Sequence, residues 1–341
     1  MLELKNISKT FNPNSPIEVK VMTDFNIQIN EGDFITVIGG NGAGKSTMLN
    51  LISGSLQADR GLIMLNEYDI SNMSENKRAP YFGRVFQDPM MGTASDMTIL
   101  ENLSIAYGRG KVRSLFKWST KAKEKEFFVE ELKKLDLGLE DRLYQKVGLL
   151  SGGQRQALTL LMATIRKEPS LRVIKRDYVR FFIGDKSLAK KEVEESFIEF
   201  KKEKSSKRKE VMNNKSLSIE EKKNQLKEIK EEFRKKVSKY DVTKQILLLD
   251  EHTAALDPKT AAKVLEITDK IVKDNHLTTI MVTHNMKDAI KYGNRLVMMS
   301  KGKVVVDIKD EEKSKLKVED LLKLFQKANK DDFLSDEALL G

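Results

Sequence analysis

The sequence predicts an α/β fold built on a largely parallel sheet with helices on both faces. Three observations lead there. The short apolar runs "DFITVIGG", "QILLLDE" and "TTIMVTHN" each read as a buried strand, and each is followed by a helical stretch. Strands that alternate with helices in this way form parallel crossovers. The first of these strands enters a Gly-rich segment, "GGNGAGKST", that leads directly into a helix.

Taken in order, the N-terminus alternates as half-buried strands do, through "LELKNISKTF", a turn "NPNSP" and "IEVKVMTDFNIQI". After the Gly-rich segment come a helix "STMLNLISGSL" and two further strands, "GLIMLNEYDI" and "FGRVFQDP". From about 98 to 165 the pattern is mostly helical, with amphipathic "MTILENLSIAYG" and "KEKEFFVEELKKLDL". "SLRVIKRDYVRFFIG" alternates like a strand at Val179, Phe181 and Ile183, then gives way to a helical pattern carrying Val193, Phe197 and Phe200. "VMNNKS" breaks that pattern. A second helix restarts at Ser218, with Glu221 completing a capping box. Its apolar residues Ile219, Leu226, Ile229, Phe233, Val237 and Tyr240 fall on a heptad seam. The pair reads as an antiparallel helical hairpin with its tip near Asn213 and Asn214. "RLVMMSKGKVVVDI" reads as a β-hairpin turning at Lys301-Gly302.

Composition narrows the function classes. The chain has 341 residues, 40% of them hydrophobic, enough for a packed core. With no cysteine, disulfides and Cys-based zinc sites are excluded. His252, His276 and His284 lack metal-ligand spacing. No run of about 18 apolar residues is present, and "MLELKNISKTF" has no apolar signal-peptide core, so a soluble or peripheral protein is expected. The net charge of +10 suggests an anionic partner, but its location matters. Residues 186–240 hold 18 Lys and Arg against 11 Asp and Glu, a net of +7, and leave the body of the chain near neutral.

"GGNGAGKST", from Gly39 to Thr47, matches G-x-x-x-x-G-K-[ST] in the strand-to-helix context that the motif requires. Glycines let backbone N–H groups turn inward around phosphate oxygens, and the helix N-terminus adds partial positive charge. Lys45 is expected to reach the β- and γ-phosphates and Ser46 to offer a hydroxyl to Mg²⁺. The strand "QILLLDE" ends in Asp250 and Glu251, which places two carboxylates at the ligand-binding edge of the sheet. Asp250 suits Mg²⁺; Glu251 suits polarisation of an attacking water. "LLSGGQRQALTL" opens an amphipathic helix at Ser151, Gly152 and Gly153, a second anion cradle. One nucleotide does not need two cradles from one chain. Two chains packed head to tail do, each closing the other's phosphate site.

At "SGGQ" the sequence resembles the ATP-binding subunits of ABC transporters, for which this tetrapeptide is the signature. The resemblance covers roughly residues 1–168 and 244–310. It implies a P-loop NTPase of ABC type, with an N-terminal antiparallel β-subdomain, a helical signature subdomain and, here, an inserted helical hairpin. The boundaries expected are 1–168 and 244–310 for the two parts of the ATP-binding domain, 169–243 for the insert and 311–341 for a helical C-terminal tail. By resemblance, the cradle Gly39, Asn41, Gly42, Ala43, Gly44, Lys45, Ser46 and Thr47 binds ATP, Ser151, Gly152, Gly153 and Gln154 close the opposite chain's site, and Asp257 in "AALD" reaches the opposite chain. Gln87 in "VFQDP" resembles the glutamine that contacts Mg²⁺ or water and senses the transporter. His284 in "VTHN" resembles the histidine that holds the γ-phosphate. Phe11 sits where the family stacks an aromatic ring on adenine. Two departures stand out: His252 occupies the place where the family commonly has Pro, and the insert splits "SGGQRQ" from "ILLLDE". The wording "DEHTAALDPKT" and "QDPMMGTASDMTILENL" is most similar to ATPases of tryptophan/tyrosine-type importers.

The resemblance implies ATP hydrolysis with Mg²⁺, a second copy of the chain, a separate transmembrane permease and, indirectly, a solute-binding lipoprotein, all at the cytoplasmic face of a membrane. The basic insert is open to two readings: a solvated excursion with no partner, or an arm for the anionic inner leaflet or the permease. The alternative is an ABC-type ATPase acting on DNA or ribosomes. Chromosome-maintenance ATPases place their coiled coil between the Gly-rich half and the signature half, whereas this insert follows the signature; ribosome-acting members carry two ATP-binding domains where this chain has one. A nucleic-acid partner is therefore not expected.

Overall fold

The computed structural model describes residues 1–66, 68–109, 122–165, 187–238 and 246–328, without the side chains of 187–193, 234, 235, 237, 238 and 328. The strand-like alternation at Val179, Phe181 and Ile183, the side chains of Val193 and of the seam position Val237, the seam position Tyr240, and the last part of the predicted tail lie outside this description. The chain divides into two compact units. One contains Met1–Met64, Asp69–Lys167 and Gln245–Gly341, the other Leu65–Tyr68 and Glu168–Lys244.

The first unit is organised by two sheets. β1 (Leu2–Phe11) and β2 (Val19–Ile29) pair antiparallel, and with β4 (Arg60–Leu65) and β5 (Tyr68–Asp69) they form a sheet ordered β2-β1-β4-β5. The alternating N-terminal pattern is a sheet with one buried face: Leu2, Leu4 and Ile7 are inside, and their neighbours are not. The second sheet joins β3 (Phe34–Gly39), β6 (Phe82–Val85), β7 (Ile246–Asp250), β8 (Thr278–Val282), β9 (Arg295–Ser300) and β10 (Lys303–Lys309) in the order β10-β9-β3-β8-β7-β6. Only β10 runs antiparallel, after the turn at Lys301-Gly302. β3 and β8 are buried at every residue, as strands covered on both faces must be.

Helices surround this sheet. α1 (Lys45–Ser53) follows the Gly-rich loop, and α2 (Glu75–Arg78) precedes β6. α3 (Ile99–Tyr107), α4 (Ala122–Lys133) and α5 (Gly152–Thr164) form the helical region around Leu103, Phe128, Leu132, Val147 and Leu158, all fully buried. Thr98 and Glu101 close a capping box on α3, which fixes where that helix starts. In the second unit, α6 (Ser187–Asn213) and α7 (Ile219–Ser238) form the expected hairpin. Back in the first unit, α8 (Pro258–Asn275) and α9 (Met286–Lys291) flank β8, and α10 (Asp310–Ser314) and α11 (Val318–Ala328) end the description, with Leu321 and Phe325 packed on Met286, Ala289 and Met298.

The hairpin corrects one sequence expectation. Phe197, Ile229 and Phe233 are buried in its seam, and Lys207–Glu232 and Lys236–Glu203 bridge the helices at 2.6 Å each. Ile219, counted into the seam by heptad spacing, is instead 90% exposed. It is the first residue of α7, at the apex, where α6 has already ended and offers no surface to pack on.

Buried cations fasten the first unit together. Arg78, fully buried, donates to five backbone carbonyls: Nε to Met73, Nη1 to Leu51 and Ile52, Nη2 to Ile70 and Ser71, all within 2.9 Å. The C-terminal carbonyls of α1, which lack partners within the helix, are thereby satisfied. Burial lowers its pKa to about 10 against the opposing charge of Asp69. Arg295 holds Asp307 with two bonds at 2.7 and 2.6 Å and donates to the Gln28 carbonyl on β2, tying one sheet to the other. Lys313, also buried, donates to the carbonyls of Tyr292 and Gly293, and burial brings its pKa down to about 8. His252 fills a fully enclosed position after β7, and burial lowers its pKa to about 4. The Thr268 hydroxyl donates to the Val264 carbonyl, so it accepts from His252 Nε2–H at 3.1 Å. The imidazole is a neutral packing group with a defined tautomer.

Two outcomes follow from these buried groups. Arg78→Met removes every donor from five carbonyls, and is expected to destabilise the fold by roughly 3–5 kcal/mol in urea unfolding, with Arg78→Lys recovering only part; a loss below about 0.5 kcal/mol would contradict the assignment. For His252, the unfolded chain takes up a proton near pH 6.5 and the folded chain only near pH 4. Its contribution is therefore complete above about pH 6.5 and is lost as pH falls towards 4, amounting to about 3 kcal/mol. His252→Leu leaves Thr268 bonded to Val264 and is expected to flatten the stability–pH curve in that window; parallel curves for the two proteins would refute this.

Candidate functional site

The parallel register brings distant residues to one edge. Val37 pairs with Val282, and Val282 with Asp250. The Gly-rich loop, the Asp250-Glu251 pair and the segment carrying His284 therefore leave the sheet at the same level, at the carboxyl ends of the strands. Val85 pairs with Leu249, so Gln87, exposed just past β6, leaves the sheet beside Asp250.

Gly44 is the N-cap of α1 at φ 97°, a left-handed conformation that a side chain would resist. The helix axis is thereby aimed at the loop. Asn41 and Gly42 are exposed, Ala43 and Lys45 are buried, and Ser46 and Thr47 open the helix. Lys45 Nζ lies within the loop it ends, donating to the carbonyls of Gly39 at 2.8 Å and Gly40 at 3.1 Å. Burial holds its pKa below the ordinary lysine value, and the Glu251 and Asp250 carboxylates oppose that shift. Ser46 Oγ is 3.4 Å from Asp250 Oδ1.

The two acids at the end of β7 differ in environment. Asp250 is raised above the usual carboxylate range by burial, against the pull of Arg84, whose Nη2 is 3.3 Å from Oδ2. For Glu251, burial acts upward, but the bond to His284, the imidazole's charge and Lys45 bring the pKa below its ordinary value. Glu251 Oε1 is 2.5 Å from His284 Nε2. Glu251 adopts φ 47°, left-handed for a residue with a side chain, while its N–H still bonds to the Val282 carbonyl at 3.1 Å. That conformation costs about 1–2 kcal/mol and breaks the strand at the point where the carboxylate faces His284.

Ser151, Gly152, Gly153 and Gln154 gather elsewhere. Ser151 and Gln154 form a capping box, each side chain accepting the other's backbone N–H at 3.3 Å. A Cβ on Gly153 would come within 2.2 Å of Thr260 Cγ2, so the helix pair α5 and α8 approaches too closely for any larger residue. Asp257 caps α8 by accepting from the Thr260 N–H at 3.1 Å, with Pro258 as the first helical residue. The signature segment thus sits with Asp257. Among the described residues, no hydrogen bond joins it to Lys45, Ser46, Asp250 or Glu251. Gln156, buried two residues on, donates to the Phe86 carbonyl at 3.2 Å and links the signature helix to the residue before Gln87. Phe11 ends β1 with 36% of its surface exposed, and Lys9 Nζ lies over its ring at 5.9 Å.

Sequence reasoning missed Arg84. It contacts Asp250, lies 3.3 Å from Ser53 at the end of α1 and from Ser55 just after it, and stacks over Phe86 at 4.7 Å. Its place in "FGRVFQDP", three residues before Gln87, was the available signal. The donor set fits a small hard cation: a hydroxyl and a carboxylate converge, and no group of three or more His, Asp and Glu gathers anywhere among the described residues. Mg²⁺ suits such a site, because it takes one or two protein oxygens and completes its shell with phosphate and water.

The profile of the ABC transporter family matches residues 22–172. A tyrosine transport ATP-binding protein of Clostridioides difficile (strain R20291) is 37% identical over 96% of this chain and 100% of its own length. A phosphonates import ATP-binding protein of Lactococcus lactis subsp. lactis (strain IL1403) is 25% identical over 92% of the chain and 96% of its own. In fold, the chain is similar to a dimeric ATP-binding cassette in a post-hydrolysis state bound to ADP and Pi (TM-score 0.58, 20% identity, 91% of this chain and 98% of that one) and to an ATP-binding cassette in its ADP conformation (TM-score 0.59, 22% identity, 95% and 98%). With a Gly-rich phosphate loop, a paired acidic strand end and a separate signature helix on this fold, the chain belongs to the ATP-hydrolysing, ATP-binding subunits of ABC transporters.

Proposed function

We propose that this chain powers a membrane importer of an amino acid or similar small solute by closing on a second copy of itself around ATP. The observation that carries the reading is the separation within one chain of two incomplete halves. One half holds Lys45, Ser46, Asp250, Glu251 and His284; the other holds Ser151 to Gln154 with Asp257. A head-to-tail pair brings the second half of one copy to the first half of the other, making two complete sites.

In such a site the loop from Gly39 to Thr47 surrounds the phosphates through its N–H groups, and Lys45 turns from its own carbonyls to the β- and γ-oxygens. Ser46 and Asp250, with Gln87, would hold Mg²⁺, which neutralises charge on the phosphates when bound. Glu251, kept ionised, accepts a proton from the attacking water, and His284 fixes that carboxylate and donates towards the γ-phosphate. Phe11 stacks on adenine. Ser151 and the Gly152–Gln154 N–H groups approach the γ-phosphate from the second copy. Similarity to the tyrosine transport protein supports an amino-acid solute. The solute would be chosen by a permease and a solute-binding lipoprotein, while this chain works on the cytoplasmic face. Among the described residues no helix is long and apolar enough to cross a membrane, which fits a motor that docks on a separate permease.

Permease docking is assigned to the segment after Gln87, where Met90 and Met91 are 53% and 70% exposed. Flexible thioether side chains suit a contact that must shift with nucleotide state. Gln156, bonded to Phe86, gives the signature helix a direct hold on that segment.

Glu251→Gln is expected to cut hydrolysis by roughly 10²–10⁴-fold while leaving ATP binding, so that an ATP-bound dimer persists in size-exclusion chromatography. Turnover at the wild-type rate would sink the assignment of the base. Lys45→Ala should instead weaken nucleotide binding itself, read by fluorescent-nucleotide titration. Met90→Glu with Met91→Glu should uncouple transport in proteoliposomes holding the permease, with ATP binding intact; transport at the normal rate places docking elsewhere.

A further inference from the structure

The apex of the inserted hairpin combines two features that water alone does not require. Met212, at the end of α6, is 59% exposed, and Ile219, at the start of α7, is 90% exposed, with Leu217 half-buried between them. Three apolar side chains within eight residues thus crown the tip, although the seam below buries its own apolar residues well. The turn carrying them is firmly built. Asn214 Oδ1 accepts from the Ser216 N–H at 3.0 Å and from its hydroxyl at 2.6 Å. Ser218 and Glu221 complete a capping box at 2.8 and 3.2 Å. Lys222 Nζ crosses to the Met212 carbonyl at 3.3 Å.

Cations surround this crown. Between 207 and 223 there are six Lys and Arg against three Glu. Arg208, Lys209, Lys215 and Lys223 are exposed. Glu221 is occupied by the cap. On α6, Lys201, Lys204, Arg208 and Lys209 continue the charge at helical spacing along one face. The pairs that fasten the hairpin, Lys207–Glu232 and Lys236–Glu203, lie in the seam, and among the described residues Lys201, Arg208 and Lys209 make no ion pair.

We propose that the hairpin apex docks on an anionic phospholipid bilayer, with Met212, Leu217 and Ile219 entering the boundary between headgroups and acyl chains while the surrounding lysines meet lipid phosphates. An apolar cap inside a ring of long cationic side chains matches that boundary, because the stems accommodate apolar depth and the ammonium groups remain in the headgroup layer. A nucleic-acid groove has different needs. Single strands are held on aromatic platforms, and non-specific duplex binding comes from cations against phosphates, with no call for aliphatic side chains. The apex exposes aliphatic residues and no aromatic one. The inference rests on the transporter reading only in placing the chain beside a membrane; it assigns the apex no part in hydrolysis.

The test uses the full chain and phosphatidylcholine vesicles with and without phosphatidylglycerol, in co-sedimentation at roughly 0.05 M and 0.5 M salt. Binding is expected only with phosphatidylglycerol, and weaker at high salt. The triple variant Met212→Ser, Leu217→Ser, Ile219→Ser should lose about ten-fold or more in vesicle affinity, as should Lys209→Gln with Lys215→Gln and Lys223→Gln. ATPase activity without vesicles should stay unchanged in both. Because the chain has no cysteine, Glu220→Cys gives a single labelling site. An environment-sensitive fluorophore there should shift to the blue on phosphatidylglycerol vesicles, and less so in the triple variant. No binding to these vesicles, binding untouched by the triple variant, or retention of RNA or duplex DNA in place of vesicles would each overturn the proposal. Each of those results leaves the Glu251→Gln dimer intact, so failure here is distinct from failure of the ATPase reading.

Discussion

The parallel register of β3, β8, β7 and β6 is the constraint on which the site depends. It makes Gly39, Asp250 and the Thr283-His284 step end at one level, though more than 200 residues of chain separate the first from the second. Side-chain chemistry then follows from crowding. Two adjacent carboxylates and a lysine share one edge: both acids act on Lys45, Glu251 acts on Asp250, and Lys45 acts on Glu251. Asp250, raised by burial, is steadied by Arg84 and Ser46; Glu251, near His284 and Lys45, stays low. Two neighbouring acids with the same chemistry are thereby shifted in opposite directions by their surroundings.

Such crowding needs a rigid frame, and buried cations supply much of it. Arg78 fixes the C-terminal end of α1 while Gly44 aims its N-terminal end at the phosphate loop. Arg295 joins the antiparallel sheet to the main one. Arg78 pairs with backbone carbonyls throughout, and that explains why it was illegible in the sequence. A carbonyl belongs to every residue, so no motif announces that Arg78 will collect five of them. The phosphate loop, the acidic strand end and the signature were legible for the opposite reason. Their chemistry requires particular side chains at adjacent positions, which spacing records directly. Arg84 falls between: its partner Asp250 is 166 residues away, and only the fold makes them neighbours.

Periodicity has a similar limit at the hairpin. Heptad counting carries no information about where the partner helix stops, so it placed Ile219 in a seam that ends before reaching it. What spacing did capture is the seam itself, where Ile229 and Phe233 are buried, and the cap at Ser218 with Glu221. The error is informative, because a residue with the right period and the wrong exposure marks the place where packing no longer explains the sequence.

The hairpin also shows why a long insertion is tolerated between the signature helix and β7. An antiparallel pair sends the chain out and brings it back, so β7 can still take its place between β8 and β6. The seam stabilises the excursion locally. Phe233 is enclosed by the ammonium groups of Lys204, Lys207 and Lys236 at 5.1 to 5.9 Å, and two of these lysines also bridge to Glu232 and Glu203. Cation–π contact and exposed ion pairs are individually weak, on the order of 0.5–1 kcal/mol. They act here on a helix pair that also buries Phe197 and Ile229. Its surface follows a different chemistry from the body of the chain, because residues 186–240 carry +7 of the chain's net +10.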